Sequence, residues 1–145
     1  MPSESPAADA TVEAPKTTAP PLVMVVDDHS DTRDMLRHAI ELSGYRVVEA
    51  CDGEEAVRLA EDTLPNLILM DTSLPRMDGY MATEHIRKLK NAHEVKIIFL
   101  SGHAEQQAKE LALAAGGDDY FVKPVNLVEL DLALAKHLMN GSATH

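Results

Sequence analysis

Leu67-Ile68-Leu69-Met70-Asp71 is an unbroken apolar run that stops on a carboxylate. Four apolar residues followed by the turn signals Leu74-Pro75 and Asp78-Gly79 predict a strand buried on both faces, as in a parallel sheet. Asp71 then lies at the carboxyl end of that strand, the edge at which open α/β sheets bind ligands. An Asp after a strand also serves as a turn former or helix cap, so the run alone does not assign Asp71 a chemical role.

A second run with the same ending decides it. Leu22-Val23-Met24-Val25-Val26 is followed by Asp27-Asp28, so if the two strands are parallel neighbours, three carboxylates converge on one edge. Two like charges about 4 Å apart repel by roughly 4 kcal/mol at an effective dielectric near 20, and such a cluster calls for a cation. Hard oxygen donors suit Mg²⁺, which binds through one or two carboxylates, waters and a phosphate. Lys96-Ile97-Ile98-Phe99-Leu100 leads into Ser101-Gly102, and Tyr120-Phe121-Val122 into Lys123-Pro124. Strand ends offering carboxylates, a hydroxyl and an ammonium are the parts that move a phosphoryl group.

The ordered set Val26-Asp27-Asp28, Met70-Asp71, Leu74-Pro75-Arg76-Met77-Asp78-Gly79, Ser101-Gly102, Asp118-Asp119-Tyr120 and Lys123-Pro124 closely resembles the receiver domain of two-component response regulators, from Leu22 to about Leu138. The resemblance implies a flavodoxin-like, doubly wound (βα)5 sandwich with a parallel sheet of order 2-1-3-4-5. It implies Asp71 as phosphoacceptor, Lys123 as partner of the phosphoryl group, and Ser101 and Tyr120 as hydroxyl and aromatic switch residues. For Mg²⁺ it implies Asp28, Asp71 and the Ser73 backbone carbonyl as ligands, with Asp27 acting through water. It also implies a cis Lys123-Pro124 bond, a histidine kinase or histidine phosphotransfer protein as donor, and catalysis limited to the domain's own phosphorylation and dephosphorylation.

Length and composition agree with one aliphatic-cored domain. The 145 residues contain 45% hydrophobic side chains and no Trp, enough for a single core. Net charge is −11, which argues against non-specific nucleic-acid binding, since that depends on Lys and Arg neutralising phosphates. Cys51 is the lone cysteine, so no intrachain disulfide forms and a reducing, cytoplasmic compartment is expected. No apolar run reaches the length of a membrane span, and the amino terminus has neither a basic nor an apolar leader region. Residues 1–21 hold five of the eight prolines and read as a disordered tail. The receiver is expected over 22–139, with 140–145 a disordered end.

Between these limits strands and helices alternate, the pattern of a parallel sheet covered on both faces. Ser30 or Asp31 is expected to cap a first helix whose apolar face holds Met35, Leu36, Ala39, Ile40 and Leu42, with Arg33, Asp34, Arg37 and Glu41 on the wet side and Gly44 as terminator. Tyr45 to Glu49 alternates, as an edge strand does. Asp52 and Glu55 form a capping box for the second helix, which closes before Pro65. Met81, Ala82, His85, Ile86 and Leu89 predict the third helix face, 105–115 a fourth, weakly amphipathic helix, and Leu127, Leu130, Leu134 and Leu138 the stripe of a last helix capped by Asn126. Phe121 should face away from Tyr120, by strand parity. His29 and His103 neighbour the site in sequence and read as loop histidines, since no zinc spacing accompanies them; His103 is placed to tune water access.

The chain stops shortly after its last predicted helix, so a stand-alone receiver that signals to a downstream protein is expected, or a relay that passes the phosphoryl group onward. Aspartyl-phosphate phosphatases share the strand-end Asp and Mg²⁺, but resemble DxD there, and the second position is Ser73 here. A flavodoxin-like phosphate loop would need Ser, Thr or Gly where Asp27-Asp28 stand.

Overall fold

The computed structural model describes residues 19–90, 94–102 and 106–139; the expected tail up to residue 18, the end from 140 and His103 lie outside them. Five strands alternate with five helices: β1 Leu22–Val26, α1 Ser30–Leu42, β2 Arg46–Ala50, α2 Gly53–Thr63, β3 Leu67–Asp71, α3 Gly79–Arg87, β4 Lys96–Ser101, α4 Gln106–Ala114, β5 Asp119–Val122 and α5 Leu127–Leu134, which runs on as a π-helical segment Ala135–Met139. All pairings are parallel and the order is β2-β1-β3-β4-β5. This is the 2-1-3-4-5 flavodoxin-like sheet, with β1 and β3 adjacent.

Every residue of β1 and β3 is buried, because helices cover both faces of the sheet. On one face Met24, Val26, Ile68, Met70, Ile97 and Phe99 meet Ala56, Ala60, Ala82, Ile86 and Ala112 of α2, α3 and α4. On the other, Val23, Val25, Leu67, Leu69, Ile98 and Leu100 meet Leu36 and Ile40 of α1 and Leu130, Ala133 and Leu134 of α5. A Leu or Ile fully buried in this way contributes roughly 1.5–3 kcal/mol. Tyr120 packs toward the first layer and Phe121 toward the second, as strand parity requires.

Several helix faces differ from expectation. Periodicity fixes spacing along a helix but not the angle at which it settles on the sheet. In α1 only Leu36 and Ile40 are buried, while Met35 and Leu42 are 45% and 83% exposed. In α3 the buried side is Ala82, Thr83 and Ile86, and Met81 and His85 turn outward. In α5, Leu127 is exposed and Ala133 takes its place. Neither Ser30 nor Asp31 caps α1. His29 holds the extended N-cap position without a side-chain cap, and its carbonyl accepts from the Arg33 amide, so Ser30 is already helical. Asp52 caps α2 by accepting from the Glu55 amide, and Glu55 returns to the Cys51 amide at 2.8 Å, one residue beyond a standard capping box. Asn126 caps α5, accepting from the Val128 and Glu129 amides. Lys123-Pro124 is cis.

Candidate functional site

Parallel strands deliver their last residues to one edge, and here that edge collects charge. Asp27 directly follows β1, Asp71 ends β3, Ser101 ends β4 and Lys123 follows β5. Asp27, Asp71 and Ser101 are all buried. The Lys123 ammonium bridges two of them, Nζ lying 3.1 Å from Asp27 Oδ2 and 3.2 Å from Asp71 Oδ2. Its backbone is tied to the next strand by the Lys123 amide donating to the Ser101 carbonyl at 2.7 Å.

The electrostatics follow from this placement. Burial pushes the Asp71 carboxyl above its ordinary range; the Ser73 amide and Lys123 pull the other way, and Asp27 adds to the rise. Burial alone would lower the Lys123 ammonium, but Asp71 and then Asp27 outweigh it and its pKa lies above the usual lysine range. Asp71 Oδ1 accepts from the Ser73 amide at 3.0 Å, which folds the loop back over the strand end.

Asp28, unlike its neighbour, is a third exposed. Its carboxylate sits 3.2 Å from His29 Nδ1, which is also 3.3 Å from Asp27 Oδ1. His29 is solvent-exposed, as expected of a loop histidine, yet it touches both carboxylates. One ligand atom from each of Asp27, Asp28 and His29 falls within a 4.8 Å group. Asp27, Asp28 and Asp71 carry three negative charges against the single positive charge of Lys123. The excess of two, on hard oxygen donors, suits a divalent cation of the Mg²⁺ type.

Three contributions were not legible in the sequence. Arg33, expected on the wet side of α1, instead turns inward and donates to the Asp27 carbonyl. Tyr80 stacks on Phe99 with ring centroids 5.2 Å apart; burial first, then the nearby Tyr120 phenol, holds its hydroxyl above the usual tyrosine range. Gly79, read as a turn signal, is a close-approach position: a Cβ there would lie 2.2 Å from the Asp71 carbonyl oxygen. Gly79→Ala is therefore expected to push α3 off the end of β3 and to cost roughly 1–3 kcal/mol, read as a lowered Tm.

Residues 23–135 match the response regulator receiver domain. The chain belongs to that family. The receiver is 38% identical over 108 residues to a 14.6 kDa protein of Leptolyngbya boryana, covering 74% of this chain and 82% of that one. It is 39% identical over 110 residues to the transcriptional regulatory protein PrrA of Mycobacterium tuberculosis, covering 76% of this chain and 46% of PrrA. The chain thus spans about half the length of such regulators. Among solved structures, the receiver domain of the sensor histidine kinase PA1611 from Pseudomonas aeruginosa, crystallised with a magnesium ion in its active-site cleft, is 38% identical with a TM-score of 0.76, over 81% of this chain and 97% of that one. The chemotaxis protein CheY4 of Vibrio cholerae is 29% identical with a TM-score of 0.79, over 83% of this chain and 100% of CheY4. No helix among the described residues is long and apolar enough to cross a membrane.

Proposed function

We propose that this receiver accepts a phosphoryl group on Asp71 from a histidine kinase or histidine phosphotransfer protein, and that, as a cytoplasmic stand-alone response regulator, it passes the signal to another protein. The observation that carries the assignment is Lys123 Nζ held between Asp27 and Asp71 at the strand edge. A carboxylate oxygen of Asp71 forms the new O–P bond as the P–N bond to the donor imidazole breaks. Lys123, already within 3.2 Å of Asp71 Oδ2, is placed to transfer its contact to a phosphoryl oxygen. The buried setting strengthens that contact as charge develops, because little water competes. Bound at Asp28, Asp71 and the Ser73 carbonyl, with Asp27 behind them, Mg²⁺ would offset the carboxylate charge and draw in the incoming phosphoryl oxygens. The charge excess on hard oxygens and the magnesium in the PA1611 receiver support this metal.

The burial of Ser101 at the end of β4 and the half-buried position of Tyr120 on the neighbouring β5 support a switch role for this pair. A phosphoryl group adds roughly 1.5–2 negative charges and three strong acceptors. Ser101 moving toward one of those oxygens would vacate space beside β4, which Tyr120 fills by turning inward. Charge-assisted hydrogen bonds present only in the phosphorylated state are worth roughly 1.5–3 kcal/mol each, enough to shift a population held a few kcal/mol away. The output surface proposed is α4, β5 and α5, where Leu111, Leu113, Val122, Leu127, Val128 and Leu132 are all exposed, a concentration that marks interaction sites. The stand-alone reading is supported by the similarly small Leptolyngbya relative, four-fifths of which matches this chain.

The deciding experiment is intact-mass analysis after acetyl phosphate treatment, with and without Mg²⁺; the addition of one phosphoryl group only with Mg²⁺ is expected, and no addition in either sample refutes the assignment. An amide NMR comparison with and without beryllofluoride, Mg²⁺ present in both, separates switch from relay: shifts at Ser101, Tyr120 and α5 indicate the switch, and shifts confined to the metal loop indicate the relay. Asp28→Ala should abolish Mg²⁺ binding in a titration while leaving the metal-free fold at least as stable, since one charge leaves a repulsive group.

A further inference from the structure

We infer that Arg33 is the positioning residue of the acidic loop, acting on the metal-binding carboxylate of Asp28 through the Asp27 peptide; this rests on the proposed phosphoryl-transfer site. Arg33 Nη1 donates to the Asp27 carbonyl oxygen at 2.8 Å, and Nε to Glu49 Oε1 at 3.1 Å. The Arg33 side chain is only about a fifth exposed. Glu49 is itself held from the other side by Arg37, whose Nε lies 2.8 Å from Oε2. Asp27 is thereby gripped at both ends of its backbone, since its amide donates to the Ala50 carbonyl at 3.1 Å while its carbonyl accepts from Arg33. That carbonyl belongs to the peptide joining Asp27 to Asp28. Fixing its plane fixes the Asp28 Cα, the point from which the Asp28 side chain departs. Asp28 has no strand pairing of its own, lying beyond the end of β1, so this peptide restrains its main chain while the His29 ring, 3.2 Å away, meets its carboxylate.

Two roles for a cation beside an acidic site predict opposite results. If Arg33 acted only through its charge, it would repel a metal, and its removal would tighten Mg²⁺ binding. If it positions Asp28, its removal weakens binding. Arginine and lysine differ here in the useful way, because a rigid planar fork can donate to two acceptors about a side chain's width apart while an ammonium keeps the charge but not the geometry. Losing a group that orients a metal ligand typically costs 10–100-fold in affinity.

The test measures Mg²⁺ affinity by calorimetric titration, Tm without metal, and the metal-free amide resonances of Asp27, Asp28 and His29, for wild type, Arg33→Lys, Arg33→Ala and Glu49→Gln. Expected are about 10-fold weaker Mg²⁺ binding in Arg33→Lys and Arg33→Ala, a smaller loss in Glu49→Gln, and a displaced Asp28 amide resonance in Arg33→Lys before any metal is added. Tighter or unchanged Mg²⁺ binding in the Arg33 variants, with the Asp28 resonance in place, overturns the inference even if Tm falls. Should Arg33→Ala not fold, Arg33→Lys and Glu49→Gln decide the question alone. Should wild type bind no Mg²⁺, the functional assignment is lost, and the metal-free Asp28 resonance still tells whether Arg33 orients the loop.

Discussion

Asp71→Asn is expected to take up no phosphoryl group from acetyl phosphate under conditions in which wild type does, a loss of at least about 10³-fold, because an amide cannot replace a carboxylate nucleophile. The same substitution should raise the stability of the unphosphorylated protein at neutral pH. Burial holds the Asp71 carboxyl above its ordinary 3.8, more strongly than Lys123 and the Ser73 amide lower it. Between 3.8 and the folded-state value the native protein binds more protons than the unfolded chain, so stability falls as pH rises through that window. Asparagine carries no such penalty. The stabilisation by Asp71→Asn should therefore be absent below pH 3.8 and grow as pH rises through the raised folded-state value, read as a Tm above that of wild type. Thermal melts from pH 3 to 8 without Mg²⁺ check this; a Tm that drops at neutral pH would show that Asp71 is a net stabilising partner of Lys123.

Lys123→Ala is expected to be the most damaging substitution at the site. It leaves Asp27, fully buried, and Asp71, 4% exposed at its side chain, without the ammonium that lies about 3 Å from each. Breaking a buried charge pair by removing one partner costs roughly 3–5 kcal/mol. The Lys123 side chain is 28% exposed, so water screens part of the interaction and a loss of about 2–3 kcal/mol is expected. Millimolar Mg²⁺ should restore a good part of that loss, since a divalent cation compensates the same carboxylates. Phosphoryl uptake should still fall by about 10²-fold or more with Mg²⁺ present, because one preorganised cation at the phosphoryl oxygens is gone. Urea unfolding with and without Mg²⁺, together with phosphorylation rates, separates the two effects. A urea midpoint indifferent to Mg²⁺ in this variant would mean that metal and lysine do not serve the same carboxylates.

Strand and helix alternation, the apolar runs and their polar endings were enough to read a parallel α/β sheet and to put Asp27, Asp71, Ser101 and Lys123 at its strand ends, while the 2-1-3-4-5 order came from the resemblance of the ordered motif set to receiver domains. That information is local: a strand buried on both faces is apolar throughout, and its end is where the pattern stops. The rest depended on contacts between elements. Met81 and His85 share the helical spacing of Ala82 and Ile86, but which of them is buried depends on how α3 rests against the sheet. Arg33 looked like part of a solvated face because spacing places its Cα, whereas its long side chain reaches back to the Asp27 carbonyl and to Glu49 on β2. Gly79 reads as a turn residue in the sequence, but the Asp71 carbonyl oxygen occupies the space that a Cβ there would need. Asp27 and Asp28 are identical in type and adjacent in the chain, yet one is buried against Lys123 and the other faces solvent beside His29. Residue type and order carried the chemistry available at this edge, but the burial and partner of each charge were set by strands and helices brought together from across the chain, because desolvation and Coulomb energy depend on distances in space and not on separation along the sequence.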